Sequence, residues 1–231
     1  MDANSGTSSF LIQEQNKTFI DYSGKKYRED LADGKEIVWT SERDGWNHLY
    51  LYDGITGKVK NQITKGNWVV RKIVHVDAEK RTVIFEGSGV NAAEDPYLVH
   101  YYAIGLDGKG LKLLTEENAN HQAFFNKDYS QFVDTYSRVD QPPISVLRDK
   151  NGRLIMELEK TNSSLLEAAG WRAPEVFKAK GRDGATDIWG IIIRPTNFDP
   201  AKSYPVIEYI YAGPHSSFVP KSFYSNPSGM Y

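Results

Sequence analysis

Five histidines, thirty acidic side chains and a scatter of serines are the groups in this sequence that could do chemistry. With no cysteine, thiolate nucleophiles, thiolate metal sites and disulfides are all excluded. His48, His75, His100, His121 and His215 lie far apart and lack metal-ligand spacing, so turn or strand-surface positions are expected for them and no metal is expected. Acyl transfer by a serine needs the nucleophile on a strand-to-helix elbow of the form GxSxG, beside an activating base. No such motif occurs, and Gly87-Ser88-Gly89 has the wrong order. Glu116-Glu117, within TEENAN, reads as a solvated turn rather than a substrate anchor. Nothing in the pattern calls for a cofactor.

Whatever chemistry exists must be positioned by strands. Aromatic residues make up 13% of the chain, and 19 Gly and 10 Pro break it into short β-branched and aromatic runs, which predicts a β-rich architecture. Lys plus Arg total 28 against 30 for Asp plus Glu, scattered without runs, so there is no electrostatic footprint for nucleic acid or an anionic membrane. No apolar stretch approaches the roughly 20 residues of a bilayer span. The start, MDANSGTSSF, lacks the regions of a signal peptide, so a soluble chain is expected, its compartment left open.

The most informative feature is a repeat. One unit runs from ADGKEIVWTSERDG through WNHLYLYDGITGKVKNQITKG; a second pairs RTVIFEGSGV with DPYLVHYYAIGLDGKGLKLLT; a third pairs SQFVDTYSRVD with PPISVLRDKNGRLIMELEK. Thr64 and Thr115 close equivalent strands, 115 − 64 = 51 residues apart. Each unit reads strand, polar turn, strand, tight Asp/Gly turn, closing strand, with Asp53-Gly54 and Asp107-Gly108 supplying residues that tolerate positive φ. Four strands in about 40–50 residues is the period of a β-propeller blade. A β-sandwich with similar hairpins is the alternative. Asp2 to Gly6 has the spacing of Asp53 to Gly57 and precedes the strand-like SSFLIQE, so about three and a half blades are expected. In this setting Trp39, Trp46, Trp68, Trp171 and Trp189 are expected to pack between sheets rather than to line a pocket.

After residue 171 the grammar changes. SSLLEAAGW, residues 163–171, predicts one short helical turn. Residues 174–180 and 186–194 predict two strands joined by Gly181-Arg182-Asp183-Gly184, and the continuous apolar run 205–211 predicts a strand covered on both faces, ending at Ala212-Gly213-Pro214. The expected organisation is a partial propeller over residues 1–172 and, over residues 173–231, a domain cut short.

The stretches WTSERDGWNHLYLYD and ITKGNW, and GIIIRPTNFDPAKSYPVIEYIYAGPHS with its YAGP, together resemble the dipeptidyl peptidase IV branch of the prolyl oligopeptidase family over almost the whole chain. The resemblance implies that residues 173–231 begin an α/β-hydrolase catalytic domain and that the longer enzyme releases N-terminal dipeptides, after proline or alanine, through an acyl-enzyme. It implies peptide substrates and a periplasmic, secreted or cell-envelope setting as one option. By motif, Tyr211 corresponds to the family tyrosine whose hydroxyl helps form the oxyanion hole. The family's serine, aspartate and histidine, and its pair of substrate-gripping glutamates, have no counterparts in these 231 residues, so the chain itself is expected to be inactive. The other reading is a propeller serving only as a binding module. Exposed strand edges in an incomplete propeller predict a homo-oligomer.

Overall fold

The computed structural model describes residues 4–21, 24–211 and 217–224. It divides into two compact units, one of residues 1–96 and 100–114, the other of residues 97–99 and 115–231. Almost every regular element is a strand, in antiparallel sheets, as the turn-punctuated sequence predicts.

The first unit holds two four-stranded meanders. One is β1 (Arg28–Leu31), β2 (Glu36–Ser41), β3 (His48–Asp53) and β4 (Val59–Gln62), paired in chain order. The other is β5 (Val69–Asp77), β6 (Thr82–Ser88), β7 (His100–Gly105) and β8 (Lys112–Leu113), again in chain order. Strand alternation sorts their side chains. In β3, Leu49 and Leu51 enter a core with Val38, Ile63, Val70, Val83, Phe85 and Ile104, while Tyr50 and Tyr52 join Ile37 on the opposite face. Trp68 stacks on Phe85 at 5.9 Å within that core, the between-sheet role expected of blade aromatics.

The first hairpin shows how the repeat is built. Asp53 Oδ1 accepts from the amides of Ile55 and Thr56 at 3.0 and 2.7 Å, and the left-handed φ falls on Gly57, at 69°, rather than on Gly54. The turn is therefore longer than a two-residue connection. Gly54 is needed for another reason: a Cβ there would stand 1.8 Å from the carbonyl oxygen of Gly34 in the neighbouring turn.

Residues 8–14, expected as a strand, make no ladder. Glu14 instead turns its carboxylate onto the side chains of the first sheet, accepting from Trp39 Nε1 at 3.0 Å, Ser41 Oγ at 2.8 Å and Arg43 Nη2 at 2.8 Å. These side-chain bonds hold the segment where strand pairing would otherwise have done so.

The second unit contains β9 (Asn120–Phe125), β10 (Gln131–Arg138), β11 (Gln141–Asp149) and β12 (Leu154–Lys160), ordered β12-β11-β10-β9. The short helix α1 (Ser164–Ala168) follows, then a hairpin of β13 (Glu175–Lys180) and β14 (Asp187–Ile192), close to the predicted bounds. Asp183 shapes that hairpin turn by accepting from Thr186 Oγ1 and from the amides of Ala185 and Thr186, both at 2.9 Å, and these bonds lower its carboxyl to about 2. Among the described residues three complete four-stranded sheets thus follow one another along the chain, the blades of a partial β-propeller.

Thr64 is a small but buried joint of this repeat. Its hydroxyl oxygen accepts the amide of Leu49 at 2.9 Å and lies 3.0 Å from His48 Nδ1. Thr64→Val keeps the shape and removes the partner of both groups, so a loss of about 1–3 kcal/mol is expected, read as a lower urea midpoint. An unchanged midpoint would mean that water replaces the hydroxyl.

Candidate functional site

Tyr211 closes the run 205–211, and the structure corrects the expectation for that run. No strand among the described residues pairs with it. Val206 and Ile207 are 92% and 90% exposed and Tyr211 74%. An apolar run becomes a strand only when neighbouring backbones take its N–H and C=O groups; among the described residues no ladder does so. The ring of Tyr211 lies 5.9 Å from that of Phe218, which also meets Tyr209 at 5.0 Å. Ala212, Gly213, Pro214 and His215 fall outside the described residues.

The histidines depart further from expectation. His48, His100 and His121 are buried rather than strand-surface residues, at 0%, 5% and 3% exposure. His48 and His100 open β3 and β7, 100 − 48 = 52 residues apart, and so belong to the repeat itself. His48 Nε2 lies 2.9 Å from the Gly66 carbonyl, with Trp68 edge-on at 4.8 Å. His100 Nε2 lies 3.0 Å from Glu94 Oε2. These partners hold both rings within the sheets.

His121 belongs to the most concentrated polar cluster of the second unit. Its Nδ1 lies 2.9 Å from Asp134 Oδ1, and its Nε2 lies 2.8 Å from the Glu117 carbonyl. Arg148, across the sheet on β11, donates from Nε to Asp134 Oδ2 at 2.9 Å, from Nη1 to the Gly152 carbonyl at 3.1 Å, and from Nη2 to Glu117 Oε2. Asp134 is completely buried and Arg148 nearly so. Glu117 is thus only partly solvated and bound, which corrects the solvated-turn reading; Glu116 is exposed as expected. Burial pushes the Glu117 carboxyl upward, but the hydrogen bond and charge of Arg148 outweigh it and leave the group below the ordinary glutamate range. Burial likewise works against the Arg148 cation, and its two carboxylate partners reverse that.

Glu117, His121 and Asp134 bring ligand-type atoms within 4.8 Å of one another, the one such group among the described residues. A divalent ion would need those lone pairs, and Arg148 already takes both carboxylates. The cluster is a cation site filled by the protein's own guanidinium.

A cleft of about 330 Å³ in the first unit is lined by Glu14, Trp39, Ser41 and Arg43 among others. Several of its polar groups pair with one another, Glu14 with Trp39, Ser41 and Arg43, and Lys25 with Glu42. The Arg43 guanidinium sits 4.6 Å above the Tyr50 ring, and Tyr50 donates to Asp44 Oδ2 at 3.2 Å. Burial and the Asp44 charge push that phenol up to about 12, so it remains a donor at neutral pH.

Among the described residues, then, no nucleophile, base and orienting acid come together, and Tyr211 is exposed where the polar cluster is buried. Comparison with known proteins places this arrangement. Dipeptidyl peptidase 4 of Trichophyton rubrum is 27% identical over 227 residues, covering 95% of this chain and 27% of that protein. Dipeptidyl peptidase 4 of Arthroderma otae is 26% identical over 225 residues, covering 94% and 27%. The crystal structure of Porphyromonas gingivalis dipeptidyl peptidase 4 superposes with a TM-score of 0.73 at 29% identity, covering 93% of this chain and 30% of that one. The chain therefore spans under a third of the length of these relatives. The sequence profile of the dipeptidyl peptidase IV (DPP IV) N-terminal region matches residues 1–143, more than half of the sequence, and this chain belongs to that family.

Proposed function

We propose that this chain is part of a serine exopeptidase that releases N-terminal dipeptides of the Xaa-Pro or Xaa-Ala type, and that Tyr211 is its oxyanion donor. Residues 1–172 supply propeller blades, and residues 173–231 open the α/β-hydrolase domain. The likeness to dipeptidyl peptidases along 95% of the chain carries the reading, because it includes the Tyr-Ala-Gly-Pro segment at 211–214 as well as the blades.

The chemistry assigned to Tyr211 is limited and definite. When a serine alkoxide adds to the scissile carbonyl, its oxygen becomes an oxyanion, and a phenolic O–H fixed nearby donates to that charge more strongly than to the ground-state carbonyl. The same donor relaxes as the intermediate collapses to acyl-enzyme, and it acts again during hydrolysis. Serine, histidine and aspartate must be contributed from outside these 231 residues, so the chain alone has the donor without the nucleophile.

The test compares Gly-Pro-nitroanilide turnover by this chain with turnover by a longer protein that includes a GxSxG serine. Turnover by the longer protein alone, abolished by a serine-directed inhibitor, is expected. Inhibitor-sensitive turnover by the 231-residue chain would overturn the assignment, and inactivity of both would favour a propeller that only binds.

The same reading proposes self-association of the chain through strand edges. All seven residues of β12 are exposed, Leu154, Ile155, Met156 and Leu158 among them. An uncovered apolar edge strand is a template for pairing with another copy. Sedimentation velocity should show a dimer or larger species as concentration rises, and Leu154→Lys with Met156→Lys should return it to monomer. A wild-type monomer at every concentration would refute this.

A further inference from the structure

Residues 217–224 form no helix or strand, yet they are held on the third sheet at two points. Asn120 and Ser137 are cross-strand partners at one end of the β9–β10 ladder. Asn120 Nδ2 donates to Ser222 Oγ at 2.8 Å, and the next amide along, Phe223 N–H, donates to Ser137 Oγ at 3.1 Å. Consecutive residues of one segment are thus gripped by two facing residues of one sheet. Apolar and cationic contacts flank the grip: the Phe223 ring packs at 5.3 Å on Trp171, and Lys221 Nζ lies 5.0 Å from the centre of the Tyr97 ring and 5.8 Å from that of Trp189.

The jaws are themselves braced. Asn120 Oδ1 accepts the amide of Val99 at 3.0 Å, so that side-chain amide is oriented from both ends. Behind it, His121 is bound to Asp134 and to the carbonyl of Glu117, and Arg138 Nη1 donates to the carbonyl of Asn118 at 3.1 Å. The loop that delivers Asn120 is therefore held by contacts other than those of the segment itself. At the other end of the segment, Phe218 contacts the rings of Tyr209 and Tyr211.

We propose that Asn120 and Ser137 are positioning residues: they clamp residues 222–223 to the third sheet, and through Phe218 they restrict where the Tyr211 ring can stand. The second half of this statement rests on the oxyanion role proposed for Tyr211; the clamp does not. A preorganised donor is worth most when it needs no rearrangement as charge develops, so a clamp on the segment following the tyrosine would act on kcat rather than on substrate affinity.

The clamp is tested on this chain by amide hydrogen exchange. Ser137→Ala and Asn120→Ala should each raise exchange at Phe223 and its neighbours about tenfold, the loss of one hydrogen bond, while β10 and β11 amides keep their protection. Ser137→Thr, which retains the hydroxyl, should restore slow exchange. Unchanged exchange in both alanine variants would overturn the clamp. In a longer protein carrying the nucleophile, the alanine variants should lower kcat several-fold with KM unchanged. Faster exchange with unchanged kcat would overturn the link to Tyr211. If Tyr211→Phe is itself without effect, the oxyanion reading fails, and with it that link, whereas the clamp stands or falls on exchange alone.

Discussion

Asp134→Ala is expected to destabilise the second unit by about 3–5 kcal/mol, because it removes the fully buried carboxylate of the pair and leaves the buried guanidinium only the partly exposed Glu117. Arg148 is 2% exposed and Asp134 0%, so water cannot substitute for either partner without opening the sheet. His121 would lose its Nδ1 partner in the same step. Arg148→Met should be costly too, since it strands the Asp134 carboxylate. Urea unfolding followed through the exchange of β10 and β11 amides measures the loss, and a change below about 1 kcal/mol would mean that water already reaches the network. The acid limb has a definite sign. Glu117 titrates below the ordinary glutamate range in the folded state, so its contribution is present above the ordinary value and is lost as pH falls through the folded one. Glu117→Gln should flatten that limb. Its effect should be smaller than that of Asp134→Ala, because the Glu117 side chain is 35% exposed and solvent screens it.

This network also marks the limit of what the sequence discloses. The repeat is legible because units of one strand-and-turn grammar recur, with Thr64 and Thr115 51 residues apart, and the hairpin of β13 and β14 because two β-branched and aromatic runs flank a Gly-Arg-Asp-Gly turn. Burial of individual polar residues is less so, since it depends on cover by residues distant in sequence. A usable signal did exist. In Phe132-Val133-Asp134-Thr135-Tyr136 the aspartate shares a strand face with two aromatics, and in Val146-Leu147-Arg148 the arginine shares one with a valine. A charge on an apolar face must find a partner of opposite sign, and that pair of anomalies predicts Asp134–Arg148. The run 205–211 misleads in the opposite way: its composition reports a need for cover on both faces, and composition cannot supply the neighbouring strands. Glu14 likewise lies in a segment that reads as a strand, and it is held by side-chain hydrogen bonds that no alternation pattern encodes.

Tyr211 carries the second large effect and the central claim. A phenylalanine there keeps the ring against Phe218 and removes only the hydroxyl, so folding should be nearly untouched while the proposed oxyanion donor is lost. Removing one such donor lowers kcat by about 100- to 1,000-fold. A ring that merely packed would give a small and uniform change. The measurement that decides between them is the kcat and KM for Gly-Pro-nitroanilide of a longer protein carrying this chain and its nucleophile, wild type against Tyr211→Phe. Efficient, serine-inhibitor-sensitive release with a drop of about 100-fold or more in kcat and little change in KM is the predicted result; an inactive wild type, or a variant as fast as wild type, would contradict it.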